Sequence, residues 1–244
     1  MLDFVVAGLS ANSVPYVEGL ELQRAVHRSV VSGERPDTLI LLEHPAVYTA
    51  GKRTLPEERP SDGTDVIDVD RGGKITWHGP GQLVGYPIFR LHDPIDVVQY
   101  VRTLEHLLIS VLADFGIDGV QVAGRSGVWV GPADLEEKIA AIGIRVAEGV
   151  TMHGFALNCG NSLDAYANII ACGIRDAGVT TMSRVLGRHV DTAELVAPIE
   201  AAFLAAFPHA PTPTPTRTPI TVSPATASPA TVSPAVATTE GVPA

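Results

Sequence analysis

Lys138-Ile-Ala-Ala-Ile-Gly-Ile-Arg-Val146 and Val150-Thr-Met-His-Gly-Phe-Ala-Leu-Asn158 are the stretches on which the fold turns. Both read as strands, and only Ala147-Glu-Gly149 separates them, so they are expected to pair as a hairpin. Alternation along the first strand puts Lys138 on one face with Ala140, Ile142, Ile144 and Val146. An ammonium at the edge of an apolar face is unusual. Desolvation there lowers its pKa and lets it hold a nearby thiol as thiolate. A lysine that snorkels out at a strand end is the competing reading.

Working outward, Val14 to Ser32 reads as a first helix. Thr38-Leu-Ile-Leu-Leu-Glu43 reads as a buried strand and Gly127–Val130 as another. Between Asp96 and Phe115, Val97, Val101, Leu104, Leu108, Val111, Leu112 and Phe115 recur at three- and four-residue steps, the stripe of an amphipathic helix. A final helix is expected from Thr192 to Ala206, with Asp191 and Glu194 as a capping box at its start. The sum is a mixed α/β domain over residues 1–208, a single domain whose sheet is covered by helices.

Beyond Pro208 the composition changes abruptly. Residues 209–244 are almost all Pro, Thr, Ala, Ser and Val, and TVSPA, TASPA and TVSPA follow one another over 221–235. Such a segment buries too little surface to offset its ordering entropy and is expected to be a disordered tail. Its single Arg217 and Glu240 cancel, so the net charge of −10 belongs to residues 1–208. That charge argues against nucleic acid as a partner. No run approaches the length of a membrane span, and the opening residues lack the pattern of a secretion signal. The expected location is the cytoplasm, where the two cysteines, Cys159 and Cys172, are thiols.

Three segments carry candidate chemistry. Arg71-Gly-Gly-Lys-Ile-Thr-Trp-His-Gly-Pro-Gly-Gln82 sets glycines among Arg, Lys, Thr and His, so its backbone can approach a ligand closely; a Gly-rich surface turn has the same composition. It lacks P-loop spacing. Lys138 is the second. The third is Cys172, followed by Gly173 with Arg175 close by, although a lone cysteine is most often a small buried hydrophobe. Cys159 ends an apolar strand and suits a structural role. His78 and His153 stand beside these segments and can position a carbonyl or thiol. His44 reads as part of a loop.

Together these segments resemble one family, the octanoyltransferases (lipoyl(octanoyl) transferases) of lipoate biosynthesis. The resemblance runs through Glu43-His-Pro-Ala-Val-Tyr-Thr-Ala-Gly51, Arg71 to Gln82 and Tyr86-Pro87. It continues in Lys138-Ile-Ala-Ala-Ile-Gly143, His153-Gly-Phe-Ala-Leu-Asn158, and Cys172-Gly-Ile with Asp176 and Gly178-Val-Thr180. It covers roughly residues 10–205. Two positions depart from the family pattern: Ala171 stands where proline is usual, and Thr181-Met-Ser-Arg184 replaces a Ser-Leu-x-x-Glu pattern.

The resemblance implies a biotin/lipoate protein ligase-like fold with a mixed, mostly antiparallel sheet. It implies that Cys172 carries an octanoyl thioester and that Lys138 lowers its pKa. Arg71, Gly72, Gly73, Lys74, Ile75, Thr76, Trp77 and His78, with Ala141, Ile142, Gly143, Gly154, Phe155 and Ala156, would line the substrate site, and His153 would help position the reacting groups. The implied donor is octanoyl-acyl carrier protein, through its phosphopantetheine thioester, with no ATP and no metal. The implied acceptors are lipoyl domains of 2-oxoacid dehydrogenase E2 subunits and the glycine cleavage H protein. Lys52, Arg53, Arg71, Lys74, Arg145 and Arg175 are a candidate basic patch for the acidic carrier. An ATP-dependent lipoate or biotin ligase, or a non-catalytic carrier-binding protein of the same fold, are the alternatives.

Overall fold

The computed structural model describes residues 2–60, 63–133, 135–169 and 177–207. In chain order the elements are β1 (Leu2–Gly8), α1 (Tyr16–Ser32), β2 (Asp37–Leu42), β3 (Val47–Ala50), β4 (Val66–Asp68), β5 (Thr76–His78), β6 (Gln82–Ile88), α2 (Val97–Asp114), β7 (Val120–Val122), β8 (Arg125–Val130), β9 (Glu137–Ala147), β10 (Val150–Asn158), β11 (Gly178–Val179), α3 (Met182–Leu186) and α4 (Ala193–Ala206). The large sheet runs β1-β2-β6-β10-β9-β8-β7, with β11 on β9; a small sheet runs β4-β3-β5. In the large sheet only β1·β2 and β9·β11 are parallel.

The apolar run at 38–42 is continuous because β2 lies inside the sheet with helices on both faces. Leu39 and Leu41 join Leu83, Phe155 and Leu157 beneath α2 and α4. Ile40 and Leu42 join Val84, Tyr86 and Ala156 beneath Val26 and Val30 of α1. Helix α1 begins at Tyr16, two residues later than expected, because the Val14 amide is bound to the Glu43 carbonyl and Pro15 occupies the cap. Asp96 caps α2 by accepting from the Gln99 amide at 2.9 Å. The box before α4 forms: Glu194 accepts from the Asp191 amide, and Asp191 accepts from that of Ala193.

The hairpin of β9 and β10 pairs from Ala147↔Val150 to Ala140↔Leu157, with Glu148 and Gly149 both at positive φ in its turn. On its other edge β9 is irregular. Val128 lies opposite Ala140, but the next residue, Trp129, lies opposite Lys138, so Ile139 is an extra residue on β9. This β-bulge corrects the expected alternation. It takes Lys138 off the face of Ala140 and Ile142 and turns it to the side of Trp129, where it lines a pocket with Ala141 and Gly143.

Beyond Leu157, β10 diverges from β9, and β11 takes its lane. Gly178 and Val179 pair with Glu137 and Lys138, and the Thr180 amide donates to the Lys138 carbonyl at 3.0 Å. The descending chain is therefore fixed beside Lys138 directly after the segment that contains Cys172. Residues 170–176, and with them Cys172, Ala171 and Arg175, lie outside the described residues, as do Pro208 and the 209–244 segment expected to be a tail. Among the described residues, no helix is long and apolar enough to cross a membrane.

Candidate active site

A pocket of about 270 Å³ opens on the α1 side of the large sheet, beneath the small sheet and the 71–78 loop. Its floor is made of cross-strand pairs without bulky side chains: Ala141 faces Ala156, and Gly143 faces Gly154. The glycines leave room for the covering loop. A Cβ on Gly143 would come within 3.1 Å of Arg71 Cδ and 3.0 Å of the Gly72 carbonyl.

Arg71 organises that loop. Its guanidinium donates to the carbonyls of Gly72, Lys74 and Thr49 and to the Thr49 hydroxyl, at 2.8–3.1 Å. The Gly72 amide in turn donates to Ile144 at 2.9 Å, docking the loop on β9. Of the expected substrate residues, Arg71, Gly73, Lys74, Thr76, His78, Ala141, Ile142, Gly143, Gly154, Phe155 and Ala156 line the pocket, together with Lys138 and His153. Gly72, Ile75 and Trp77 do not line it. Gly72 is spent on docking, and Ile75 and Trp77 pack with Tyr48 as the core of the small sheet.

Sequence reasoning missed Tyr16, Val84, Tyr86, the turn residue Gly124, and Arg125 and Ser126 at the start of β8, all of which line the pocket. Only Tyr86 left a signal, as part of the family-like Tyr86-Pro87.

Lys138 is 6% exposed, and its Nζ lies 4.6 Å from the centre of the Trp129 ring. Arg125 stands 5.6 Å from the same ring. An indole face is a partner that holds an ammonium without neutralising it, unlike a carboxylate. Gly127 sits at φ +110, and a Cβ there would press on the Ala140 carbonyl and touch the Lys138 stem at 3.4 Å. The glycine gives the lysine its path over Trp129.

His153 is held from three directions. Its backbone lies in the left-handed region at φ +58. Its amide donates to Gln23 Oε1 of α1 at 2.8 Å, and its Nε2 is 2.8 Å from Asp70. Asp70 is part-buried, which would raise its pKa, but the bond to His153 and the charge of Arg145 outweigh this and hold the carboxyl below its usual range. Asp70 is therefore an acceptor, and His153 presents N–H from Nε2. Burial keeps the imidazole below its normal pKa despite Asp70, so it stays neutral near pH 7. Its Nδ1 is buried, with no hydrogen-bond partner among the described residues.

His44 and His78 are neutral for the same reason, burial pushing them down to about 4 and about 3. His44 lies in the loop after β2, as expected, and is fully buried there, bonded to the Val14 carbonyl and the Tyr86 hydroxyl, both at 2.6 Å. His78 connects Thr49 to Gln82. Gln82 donates to Asn158, whose amide reaches the Thr180 carbonyl at 3.0 Å. This chain of polar groups links the Arg71 loop to the strand beside Lys138.

The basic patch is reduced by internal pairing. Lys74 is paired with Glu58, Arg145 with Asp70, and Arg71 is buried in its loop. Lys52 and Arg53 remain exposed. Cys159 is buried, with its thiol pushed up to about 12 by desolvation, as its structural assignment requires. Among the described residues, no group of three or more His, Cys, Asp and Glu side chains could hold a metal ion.

Comparison with known proteins matches residues 15–204 to the family described as the lipoyl protein ligase A/B catalytic domain. An octanoyltransferase of Clavibacter sepedonicus is 67% identical over 201 residues, covering 80% of this chain and 87% of its own. An octanoyltransferase of Leifsonia xyli subsp. xyli is 58% identical over 221 residues, covering 89% and 98%. Among solved structures, a bipartite lipoate protein ligase of an archaeal lipoylation system from Thermoplasma acidophilum superposes with a TM-score of 0.68 at 16% identity, over 91% of this chain and 87% of that one. The likeness establishes the same mixed, mostly antiparallel fold.

Proposed function

The chain belongs to the lipoyl protein ligase A/B catalytic-domain family, and from that premise we propose that it is an octanoyltransferase of lipoate biosynthesis, moving an octanoyl group from acyl carrier protein through Cys172 to a lysine of lipoyl domains. The acceptors are E2 subunits of 2-oxoacid dehydrogenases and the glycine cleavage H protein. The observation that carries the reading is Lys138: turned into the pocket by the bulge at Ile139 and bonded through its own carbonyl to Thr180, just after the Cys172 segment.

The steps follow from these groups. Cys172, as the thiolate whose proton the Lys138 amine has taken up, attacks the donor thioester carbonyl. The C–S bond to phosphopantetheine breaks, and the leaving thiolate takes a proton from the Lys138 ammonium. The acceptor amine then attacks the enzyme thioester, its N–H proton passes to Lys138, and Cys172 leaves as thiolate. A free thiol has a pKa of about 8.5, and a neighbouring ammonium that favours thiolate by one pKa unit contributes about 1.4 kcal/mol. The first exchange is nearly balanced; amide formation drives the second. Activation resides in the donor thioester, so the cycle needs neither ATP nor metal. His153 helps position the acyl group.

Intact mass spectrometry after incubation with octanoyl-carrier protein, without ATP, tests the reading. A hydroxylamine-labile octanoyl adduct, absent in Cys172→Ala, supports it. An adduct that forms only with ATP points to a ligase, and none at all to a binding protein.

A further inference from the structure

Lys138 and His153 stand at opposite ends of the pocket. Ala141↔Ala156 and Gly143↔Gly154 are consecutive floor pairs leading away from Lys138, and the next pair is Ile144↔His153. There the bare floor stops. The 71–73 loop closes over it through the Gly72–Ile144 bond, and His153, Asp70 and Gln23 meet in one polar group. Two buried nitrogens in this group, His153 Nδ1 and Gln23 Nε2, have no hydrogen-bond partner among the described residues.

We infer that His153, clamped by Asp70 and Gln23, is the end wall that sets acyl chain length. From Ala141 to Ile144 a strand advances about 10 Å, at roughly 3.3 Å per residue. An extended octanoyl chain advances about 9 Å, from C–C bonds of about 1.5 Å laid in a zigzag. Apolar burial alone would favour a longer chain about four-fold for every added methylene. A selective site therefore needs a stop. A polar one is effective, because a ninth or later carbon would press apolar surface on unpaired nitrogens and strip them of water. The positive φ at His153 aims the imidazole here in place of the opposite sheet face, a conformation a non-glycine residue adopts at some cost.

This inference rests on the transferase reading. The test uses the full chain and an equimolar mixture of hexanoyl-, octanoyl-, decanoyl- and dodecanoyl-carrier proteins, with products weighed on the acceptor domain. His153→Gly removes the wall while relieving the positive φ, and His153→Asn shortens it with a residue that tolerates that backbone. Both are expected to raise dodecanoyl over octanoyl transfer, about ten-fold for glycine and less for asparagine, with thermal melts confirming folding. Ala141→Val, which fills the floor, is expected to shift preference toward hexanoyl donor. Unchanged chain preference in both His153 variants overturns the end wall alone. Absence of any acyl transfer by the wild-type chain overturns the transferase reading and the wall with it.

Discussion

Lys138 lies opposite Trp129 across the one-residue bulge at Ile139, its ammonium over the indole and its carbonyl bonded to Thr180. A carboxylate partner would tie up that proton; the ring leaves it available. Lys138→Ala is therefore expected to lower the rate of acyl transfer by about 10²–10⁴-fold. Alkylation of Cys172 by iodoacetamide, followed against pH, should show its midpoint rise in the variant. Lys138→Arg should restore little, because guanidinium does not give up its proton near neutral pH. A midpoint identical to wild type removes the lysine from thiol activation.

The bulge could not be read from the sequence. Ile139 is followed by a run of apolar residues, Ala140 to Ile142, so an extra residue there leaves no break in the apolar pattern of β9. Its effect depends on β8, which sets Val128 and Trp129 against Ala140 and Lys138. By contrast β2, α2 and the β9–β10 hairpin were legible because their signals are local: a continuous apolar run, a helical stripe, and a short turn between two strands. Asp70 was missed although it precedes the Arg71-Gly-Gly motif, since its partners His153 and Arg145 lie on different strands. The turn at 123–124 and the start of β8 left no signal, their place at the pocket being set by the pairing of β7 with β8.

Glu105 of α2 gives a second prediction. Its carboxylate is fully buried and accepts from Arg102 at 2.6 Å and from Gln121 and the Gly127 amide at 2.9 Å. It thereby fastens α2 to the strand that presents Trp129. Glu105→Ala strands the buried Gly127 amide and the part-buried Gln121 donor, while Arg102, about one-third exposed, turns to solvent; the loss should be about 1–3 kcal/mol. Glu105→Gln, which keeps an acceptor, should cost less. Urea unfolding measures both, and a loss below about 1 kcal/mol in the alanine variant would contradict the clamp.

The buried histidines predict acid sensitivity. His44 and His78 have folded pKa values pushed down to about 4 and about 3 by burial, from the ordinary imidazole value of 6.5. Between about pH 6.5 and pH 4 the unfolded chain binds protons that the native state refuses, so stability falls as pH falls through this window. From pH 7 to pH 5 each should cost about 2 kcal/mol, at about 1.4 kcal/mol per pH unit below 6.5. Asp70 has a lowered folded pKa, so its contribution is present above the unfolded carboxylate range and is lost only at lower pH. Urea midpoints at the two pH values test the window. Imidazole resonances of His44 or His78 titrating near pH 6.5 in the native protein would refute it.

Lys52 supplies the last prediction. Most cations near the pocket are engaged inside the molecule: Lys74 with Glu58, Arg145 with Asp70, Arg71 with its loop. Lys52 is exposed at the edge of that loop, where its backbone amide donates to the Arg71 carbonyl at 3.2 Å. A chain of net charge −10 meeting an acidic carrier needs such local positive charge to offset repulsion. Lys52→Glu keeps the backbone bond and reverses the side-chain charge. It should raise the apparent KM for octanoyl-carrier protein by about five-fold in low salt, with kcat unchanged. The difference should shrink as ionic strength rises and the screening length falls toward about 3 Å at 1 M. An equal KM at low salt, or a penalty that salt does not relieve, would place the carrier contact elsewhere on the surface.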